Sequence, residues 1–226
     1  MPGLFVTATG TDIGKTYVTA ALVRRWRAAG RLPRALKPIV SGFDAGDWAS
    51  SDPGLLLQAM GERLDAAALD RISPFRFAAP LSPDMAAARE GKSVDVAALL
   101  AVCRTRLAEA GAAPLLIEGV GGVMVPLDAR RTLLDWMSDL ALPVLLVAGS
   151  YLGTISHSLT AAAVLRHAGL GVAALVVNES EGSGVPLAET AATIARFVAP
   201  VPVLALPRGA TPDSAAMQAL ADLLPC

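Results

Sequence analysis

Short apolar runs alternate along the chain with longer stretches in which apolar residues recur at helical spacing. The short runs predict buried parallel strands, because a strand covered on both faces is almost continuously apolar. They cover residues 4–8, 34–40, 114–118, 143–148, 172–178 and 201–206. The amphipathic stretches predict helices over residues 15–29, 94–110, 154–168 and 186–198. This alternation predicts a single doubly wound α/β domain over residues 1–226, with a mostly parallel sheet of about six or seven strands flanked by helices.

Residues 41–83 interrupt this rhythm. The segment is rich in Asp, Ser, Gly and Pro, and it holds only short helical patterns, such as the one over residues 53–60. Ligands of a doubly wound sheet bind beyond the carboxyl ends of its strands. We therefore expect the functional residues in the loops that follow strands, with residues 41–83 covering the site.

The chain is strongly apolar, with 54% hydrophobic residues and a mean hydropathy of +0.52, which requires a large core or a subunit interface. No apolar run is long enough for a membrane-spanning helix, and the N-terminus lacks the basic region of a signal peptide. Cys103 and Cys226 fit no metal or redox spacing, as expected in a reducing compartment. The net charge of −1 and the scattered basic residues argue against a nucleic-acid partner. We therefore expect a cytoplasmic protein that binds neither membrane nor nucleic acid.

A glycine-rich loop follows the first predicted strand and precedes the first predicted helix. Residues 7–16 read Thr-Ala-Thr-Gly-Thr-Asp-Ile-Gly-Lys-Thr, a variant Walker A loop in which Thr9 replaces the usual first glycine. Its backbone N–H groups can surround phosphate oxygens, Lys15 can reach the β- and γ-phosphates, and the Thr16 hydroxyl can bind Mg²⁺. The loop predicts nucleotide binding, but it does not by itself select a reaction.

Two further residues stand at the ends of predicted strands. Glu118 ends an apolar strand, where a Walker B acid is found and where an unpartnered carboxylate would be costly to bury. Lys37 precedes Pro38, which favours an extended backbone that leads out of the sheet. Taken alone, Asp52 suits a helix N-cap slightly better than a metal site, and Ser41 suits a turn.

The order and spacing of these segments resemble the dethiobiotin synthetase family of P-loop NTPases. The motifs are Thr-Asp-Ile-Gly-Lys-Thr at residues 11–16, Leu-Lys-Pro-Ile-Val-Ser-Gly at 36–42, Ser-Asp at 51–52, Glu-Gly-Val-Gly-Gly at 118–122 and Gly-Thr-Ile-Ser-His at 153–157. The resemblance implies an enzyme that takes 7,8-diaminopelargonate, CO₂ or bicarbonate, and Mg-ATP. It would form a carbamate, phosphorylate it to a carbamic-phosphoric anhydride and close the cyclic urea of dethiobiotin, with release of ADP and phosphate.

The resemblance also implies the roles of individual residues. Catalysis would use Lys37, Lys15 and Thr11, because fixed cations can stabilise a transferring phosphoryl group and a carbamate. Thr16, Asp52 and Glu118 would bind Mg²⁺, which prefers hard oxygen ligands. The ATP-binding residues would be Asp12, Ile13, Gly14, Lys15, Thr16, Tyr17, Asp52, Glu118, Gly119, Val120, Gly121, Asn178, Glu179, Pro207, Arg208 and Gly209.

The remaining implied residues bind the substrate: Lys37, Ser41, Gly121, Gly153, Thr154, Ile155 and Ser156. Residues 153–156 begin a predicted helix, whose free N–H groups would bind the tail carboxylate of a substrate held by the neighbouring subunit. The resemblance therefore implies a homodimer with its site at the subunit interface. His157 and His167, which have no acidic or metal companion in the sequence, are expected to be structural.

The chain also departs from the family pattern, and other protein classes share parts of it. The family often has Gly at Ala8, Glu or Gly at Asp12 and Asn at Ser156, but none of these departures touches Lys15, Thr16 or Lys37. ParA and MinD partition ATPases carry an extra lysine at the position of Gly10 and need a membrane or DNA surface. A cobyrinic acid a,c-diamide synthase would need an added glutaminase region. A different small-molecule P-loop kinase stays open, because its loop and Mg²⁺ ligands would look alike.

Overall fold

The computed structural model describes residues 3–224, in which helices flank a parallel sheet. The strands are β1 Gly3–Ala8, β2 Arg34–Leu36, β3 Ile39–Ser41, β4 Phe75–Phe77, β5 Leu115–Glu118, β6 Val144–Gly149, β7 Val172–Asn178 and β8 Val203–Leu206. The helices are α1 Lys15–Ala28, α2 Asp52–Met60, α3 Ala66–Ile72, α4 Pro83–Arg89, α5 Val96–Ala110, α6 Leu133–Leu140, α7 Thr154–His167, α8 Leu187–Val198 and α9 Ala215–Leu223, with a 3-10 turn at Trp48–Ser50.

The main sheet has six strands in the order β2-β5-β1-β6-β7-β8, and every neighbouring pair is parallel. β1 lies near the middle, and all its residues are buried, as the continuous apolar pattern predicts. The predicted α/β class with a mostly parallel sheet is confirmed. The carboxyl ends of these strands meet at one edge, where the loops that follow them converge.

The sequence prediction of one strand over residues 34–40 is wrong. β2 ends at Leu36, and β3 begins at Ile39 in a separate two-stranded sheet with β4. Between them the Lys37 N–H donates to the Ile72 carbonyl at 3.1 Å, and the Pro38 carbonyl accepts from the Phe75 N–H at 3.0 Å. Because Pro38 has no N–H to donate to a strand neighbour, the chain leaves the main sheet there. The break places residues 41–83 over the carboxyl ends of the strands.

The predicted helices are present with small shifts at their ends, but α3, α4, α6 and α9 were not predicted. These helices are short, so tertiary packing and capping stabilise them more than a long periodic pattern does. At α6, for example, the Asp135 carboxylate accepts the Thr132 N–H at 2.7 Å. α6 also places the fully buried Trp136 ring edge-on against Phe5 of β1, with ring centroids 4.9 Å apart.

Two predictions from composition concern this fold. Cys103 is a free buried thiol, and burial raises its pKa to about 12, which suits an unreactive core residue. Cys226 lies outside the described residues. Across residues 3–224, no helix combines the length and the apolar character that crossing a membrane would take.

Candidate active site

A cavity of about 740 Å³ lies where the loops after β1, β3 and β5 converge. The predicted site residues that line it are Thr11, Asp12, Gly14, Lys15, Thr16, Lys37, Ser41, Asp52, Val120 and Gly121. The lining residues that sequence reasoning missed are Val40, Gly42, Ser50, Ser51, Pro80, Leu81, Ser82, Pro83 and Val125. Residues 80–83 lead into α4 and form a wall of the cavity, as a cover built from residues 41–83 should. No sequence motif identifies them, and only the two prolines of this segment, Pro80 and Pro83, indicate a rigid wall.

The phosphate loop bends sharply into α1. Gly14 caps the helix with φ +97°, a conformation that glycine adopts without the steric cost of a Cβ. Asp12 has φ +55°, in the left-handed region that aspartate tolerates better than most residues. The Lys15 ammonium is buried and donates to the carbonyl oxygens of Gly121 at 2.9 Å and Gly10 at 3.2 Å. The loop after β5 thus holds the phosphate-loop lysine in place.

Burial and, to a smaller extent, the nearby positive charge of Lys37 together lower the pKa of Lys15 to about 8. An anionic ligand would relieve both effects, because it would supply the negative charge that the buried ammonium lacks. A phosphate group beside Lys15 is such a ligand.

Lys37 lies at the centre of a buried ionic cluster. Its ammonium is 2.7 Å from Asp52 Oδ2, and it donates to Glu118 Oε1 at 2.8 Å and to the Gly119 carbonyl at 2.9 Å. Although burial lowers the pKa of Lys37, the charges of Glu118 and Asp52 raise it above its ordinary value. Likewise, burial raises the pKa of Asp52, but Lys37 outweighs this and lowers it. Both groups are therefore charged at neutral pH.

This geometry gives Lys37 protein partners that the sequence pattern did not predict. Lys37 lines the cavity, but an ammonium has three N–H donors and all three already have acceptors. To bind a substrate oxygen, Lys37 must release or share at least one of these partners. The sequence pattern did not pair Lys37 with Asp52 or Glu118, because the three residues are far apart in the sequence.

The residues predicted to bind Mg²⁺ lie together. The Thr16 hydroxyl donates to Glu118 Oε1 at 2.6 Å, and Asp52 reaches the same place through Lys37. Glu118 is fully buried, and its Oε2 has no hydrogen-bond partner among the described residues. Such an orphaned carboxylate oxygen fits a hard cation. In residues 3–224, no three His, Cys, Asp or Glu side chains lie close enough together to hold a metal ion by themselves, so phosphate oxygens and water would have to complete any coordination shell.

The predicted ATP-binding residues Asn178, Glu179, Pro207, Arg208 and Gly209 lie beyond the phosphate loop and do not line the cavity. Asn178 ends β7, and its Nδ2 donates to the Ile13 carbonyl at 3.0 Å. After β8, the Arg208 N–H donates to Glu179 Oε2 at 2.8 Å. The Asn178 amide nitrogen therefore supports the phosphate loop, and its role in ATP binding stays a prediction.

Residues 153–156, predicted to bind the substrate tail, do not line the cavity of the same chain either. Gly153 caps α7 with φ +99°. The Thr154 hydroxyl donates to the Gly149 carbonyl at 2.6 Å, and the Thr154 N–H donates to the Tyr151 carbonyl. Thr154 is therefore less available to an anion than the sequence suggested, whereas Ser156 is exposed. His157, which had no companion in the sequence, contacts the Tyr151 hydroxyl through Nδ1 at 2.9 Å.

Comparisons with known proteins extend this picture. A family model described as an AAA domain matches residues 2–209. The chain is 51% identical to the ATP-dependent dethiobiotin synthetase BioD of Methylobacterium nodulans over 213 residues, which are 92% of this chain and 94% of that protein. It is 48% identical to the BioD of a Caulobacter species over 96% of this chain and 93% of that protein. The corresponding protein of Acidiphilium cryptum is 47% identical over 89% of this chain and 91% of its own length.

Solved structures of other proteins share the architecture. The chain matches the MinC:MinD complex of Aquifex aeolicus with a TM-score of 0.59 at 10% identity, over 99% of this chain and 94% of that one. It matches chloroplast FtsY of Physcomitrella patens with a TM-score of 0.53 at 17% identity. That match covers 99% of this chain but only 65% of the FtsY chain, which is less than two thirds. At these identities the likeness shows the fold alone.

Proposed function

The chain belongs to the ATP-dependent dethiobiotin synthetase family, and on this premise we propose that it closes the cyclic urea of dethiobiotin in the cavity beside Lys15 and Lys37. It is an ATP-dependent ligase of biotin biosynthesis that forms C–N bonds. The family predicted from the motifs and the use of ATP are confirmed. We assign 7,8-diaminopelargonate, CO₂ or bicarbonate, and ATP as its substrates, with ADP and phosphate released.

One observation carries this assignment of the site. Two buried lysines, Asp52 and the Thr16 hydroxyl line one cavity that is large enough for a small substrate and a phosphate group, and the buried Glu118 carboxylate contacts Thr16 and Lys37 behind them. Burying this much charge is costly unless the charged groups pair with one another or with a ligand. Phosphoryl transfer to a carbamate brings several anionic oxygens together, so it uses such a set of groups well.

At the phosphate end, the backbone N–H groups after Thr11 and the start of α1 would hold the phosphates, with Lys15 beside them. Lys15 already points across the loop to Gly121, so it need not be reorganised when charge develops on the transferring group. Thr11 lines the same cavity and would donate its hydroxyl to the reacting oxygens.

At the acceptor end, Ser41 and Lys37 would hold the diamine and its carbamate. Ser41 ends β3 and lines the cavity opposite the phosphate loop. Lys37 would give up one of its present acceptors and donate to the carbamate, whose negative charge it would stabilise as phosphate is transferred. Ring closure then joins the second amine to the activated carbon and releases phosphate.

Mg²⁺ is part of the proposal, with Thr16, Asp52 and Glu118 as its protein ligands. When bound, the ion would neutralise charge on the β- and γ-phosphate oxygens. The unpartnered Glu118 Oε2 and the hydroxyl of Thr16, the residue after Lys15, support this placement. Among the described residues, these three supply oxygen atoms beside the phosphate loop, as a hard cation requires.

We further propose a homodimer in which residues 153–156 bind the tail carboxylate of a substrate held by the neighbouring subunit. Their position outside the cavity of their own chain supports this arrangement. The exposed apolar side chains of Leu152 and Met124 would be covered in such a dimer, which would accommodate part of the apolar surplus of the sequence. We also place the enzyme in the cytoplasm, where reducing conditions suit the free thiol of Cys103. A single domain over residues 1–226 stays a prediction.

The proposal is tested by the substrate dependence of ADP release. Purified protein with Mg-ATP should release ADP only when 7,8-diaminopelargonate and bicarbonate are both present, and mass spectrometry should detect dethiobiotin in equal amount. Omission of either substrate is the matched control in each case. Equal ADP release without the diamine, or ADP without dethiobiotin, would contradict the assigned reaction.

A further inference from the structure

The loop after β8 is fastened from two directions. On one side, the Tyr17 hydroxyl, in the first turn of α1, donates to the Ala210 carbonyl. On the other side, Glu179 Oε2 accepts the Arg208 N–H at 2.8 Å, and the Glu179 N–H donates to the Leu206 carbonyl at 2.9 Å. The Ala210 N–H donates to the Pro207 carbonyl at 3.0 Å, which closes the loop on itself. Residues 207–210 therefore form a short, braced turn.

This braced turn lies at the same sheet edge as the phosphate loop. Asn178, at the end of the neighbouring strand β7, donates to the Ile13 carbonyl of the phosphate loop. A nucleotide whose phosphates lie on that loop can extend its base in two directions. The cavity side holds Lys37 and Asp52, with Glu118 in contact with Lys37, and these are groups assigned to the reaction. The base therefore extends to the other side, toward Asn178 and residues 207–210.

We infer that Tyr17 is a positioning residue for the nucleobase, because its hydroxyl holds residues 207–210 at a set distance from the phosphate loop. The inference rests on the proposed function in one respect, the placement of the nucleotide. Tyr17 follows Thr16 directly in α1, so the same helix carries a group at the phosphates and a group that braces the base side. A turn braced in its binding conformation loses less entropy when the base binds.

The chemistry of Tyr17 suits this role. Its side chain is 39% exposed at the start of α1, and the partial loss of solvent around it raises the pKa of the hydroxyl. The phenol therefore stays protonated at neutral pH and remains a donor to the Ala210 carbonyl. The hydrogen bond does not require an ionised phenol, and the Tyr17 ring has no assigned contact with the reacting groups. The contribution of Tyr17 should appear only for ligands that carry a base.

The variant Tyr17→Phe removes the hydroxyl and keeps the ring, so the fold should be retained. Calorimetric titration should show a three- to tenfold weaker affinity for ADP with Mg²⁺, as expected for one lost hydrogen bond of about 1 kcal/mol. Affinity for inorganic triphosphate with Mg²⁺, which has no base, should be unchanged. In steady state the KM for ATP should rise by a similar factor while kcat stays the same.

The only other tyrosine in the sequence provides a matched control. Tyr151→Phe removes a hydroxyl that contacts His157, and it should leave both affinities unchanged. A parallel loss of ADP and triphosphate affinity in Tyr17→Phe would overturn the inference, because Tyr17 would then support the phosphate loop itself. Unchanged ADP affinity would overturn it as well. The diamine and bicarbonate dependence of ADP release tests the proposed reaction separately, so failure of one does not imply failure of the other.

Discussion

Gly14 offers the sharpest test of how the phosphate loop is built. An added Cβ at Gly14 would face two problems, a backbone at φ +97° and an approach of 2.3 Å to Asn178 Nδ2. The left-handed backbone costs about 1–2 kcal/mol for a residue with a Cβ. Overpacking against the amide costs about 1–3 kcal/mol. We therefore expect Gly14→Ala to lower the free energy of unfolding by about 2–5 kcal/mol.

Two other glycines separate these contributions. Gly153 has a similar backbone, with φ +99°, but an added Cβ would meet only His157 Cε1 at 3.8 Å. Gly153→Ala should therefore cost only the backbone contribution of about 1–2 kcal/mol. Gly10 needs no positive φ, and its nearest neighbour is Ile13 Cγ1 at 3.8 Å. Gly10→Ala should change the free energy of unfolding by less than about 1 kcal/mol, because its main effect is to lower the conformational entropy of the unfolded chain, which slightly favours the folded state.

Urea unfolding of the three variants, without ligand, measures these differences directly. A second measurement, the rise in melting temperature caused by ADP and Mg²⁺, should be smallest for Gly14→Ala, because a displaced Asn178 no longer supports the Ile13 carbonyl. The reasoning fails if Gly14→Ala is no less stable than Gly153→Ala, since the contact with Asn178 would then carry no cost.

Three further predictions concern charge and hydrogen bonding at the site. Lys37→Gln should lower kcat by about 100- to 1,000-fold, with a much smaller change in ADP affinity. The matched variant Lys92→Gln, at an exposed lysine, should behave as wild type. An unchanged kcat in Lys37→Gln would remove Lys37 from the mechanism. Lys15 has a pKa of about 8, and bound phosphate should raise it, so binding takes up a proton above that pH. ADP affinity should then fall as pH rises from about 8 to 10, by at most about tenfold per unit, and a flat profile would contradict this. Asn178→Asp should place a carboxylate against the Ile13 carbonyl, and it should lower the free energy of unfolding and weaken the binding free energy of ADP by about 1–3 kcal/mol each. Wild-type values of both would show that the amide nitrogen is dispensable.

Much of this protein could be predicted from local patterns. Continuous apolar runs predicted the strands of the parallel sheet, and the run of Gly14, Lys15 and Thr16 between a strand and a helix predicted a phosphate loop. These predictions succeed because hydrophobic periodicity and glycine-rich turns are encoded by neighbours in sequence. The position of Glu118 at the end of a buried strand belongs to the same class, since the apolar run and the charged residue that ends it are both visible in the sequence.

Contacts between distant residues were decided only by the tertiary structure. The break at Pro38 depends on the hydrogen bonds that the Lys37 N–H donates to Ile72 and the Pro38 carbonyl accepts from Phe75. The wall at residues 80–83 depends on where that break sends the chain. Part of the stability loss expected for Gly14→Ala comes from Asn178, which lies on a strand far along the sequence. The three acceptors around Lys37 likewise come from separate segments, so a sequence pattern could name the lysine but not its partners. Local periodicity specifies each helix and strand, whereas the partners of a buried charged side chain are fixed only when these elements pack together.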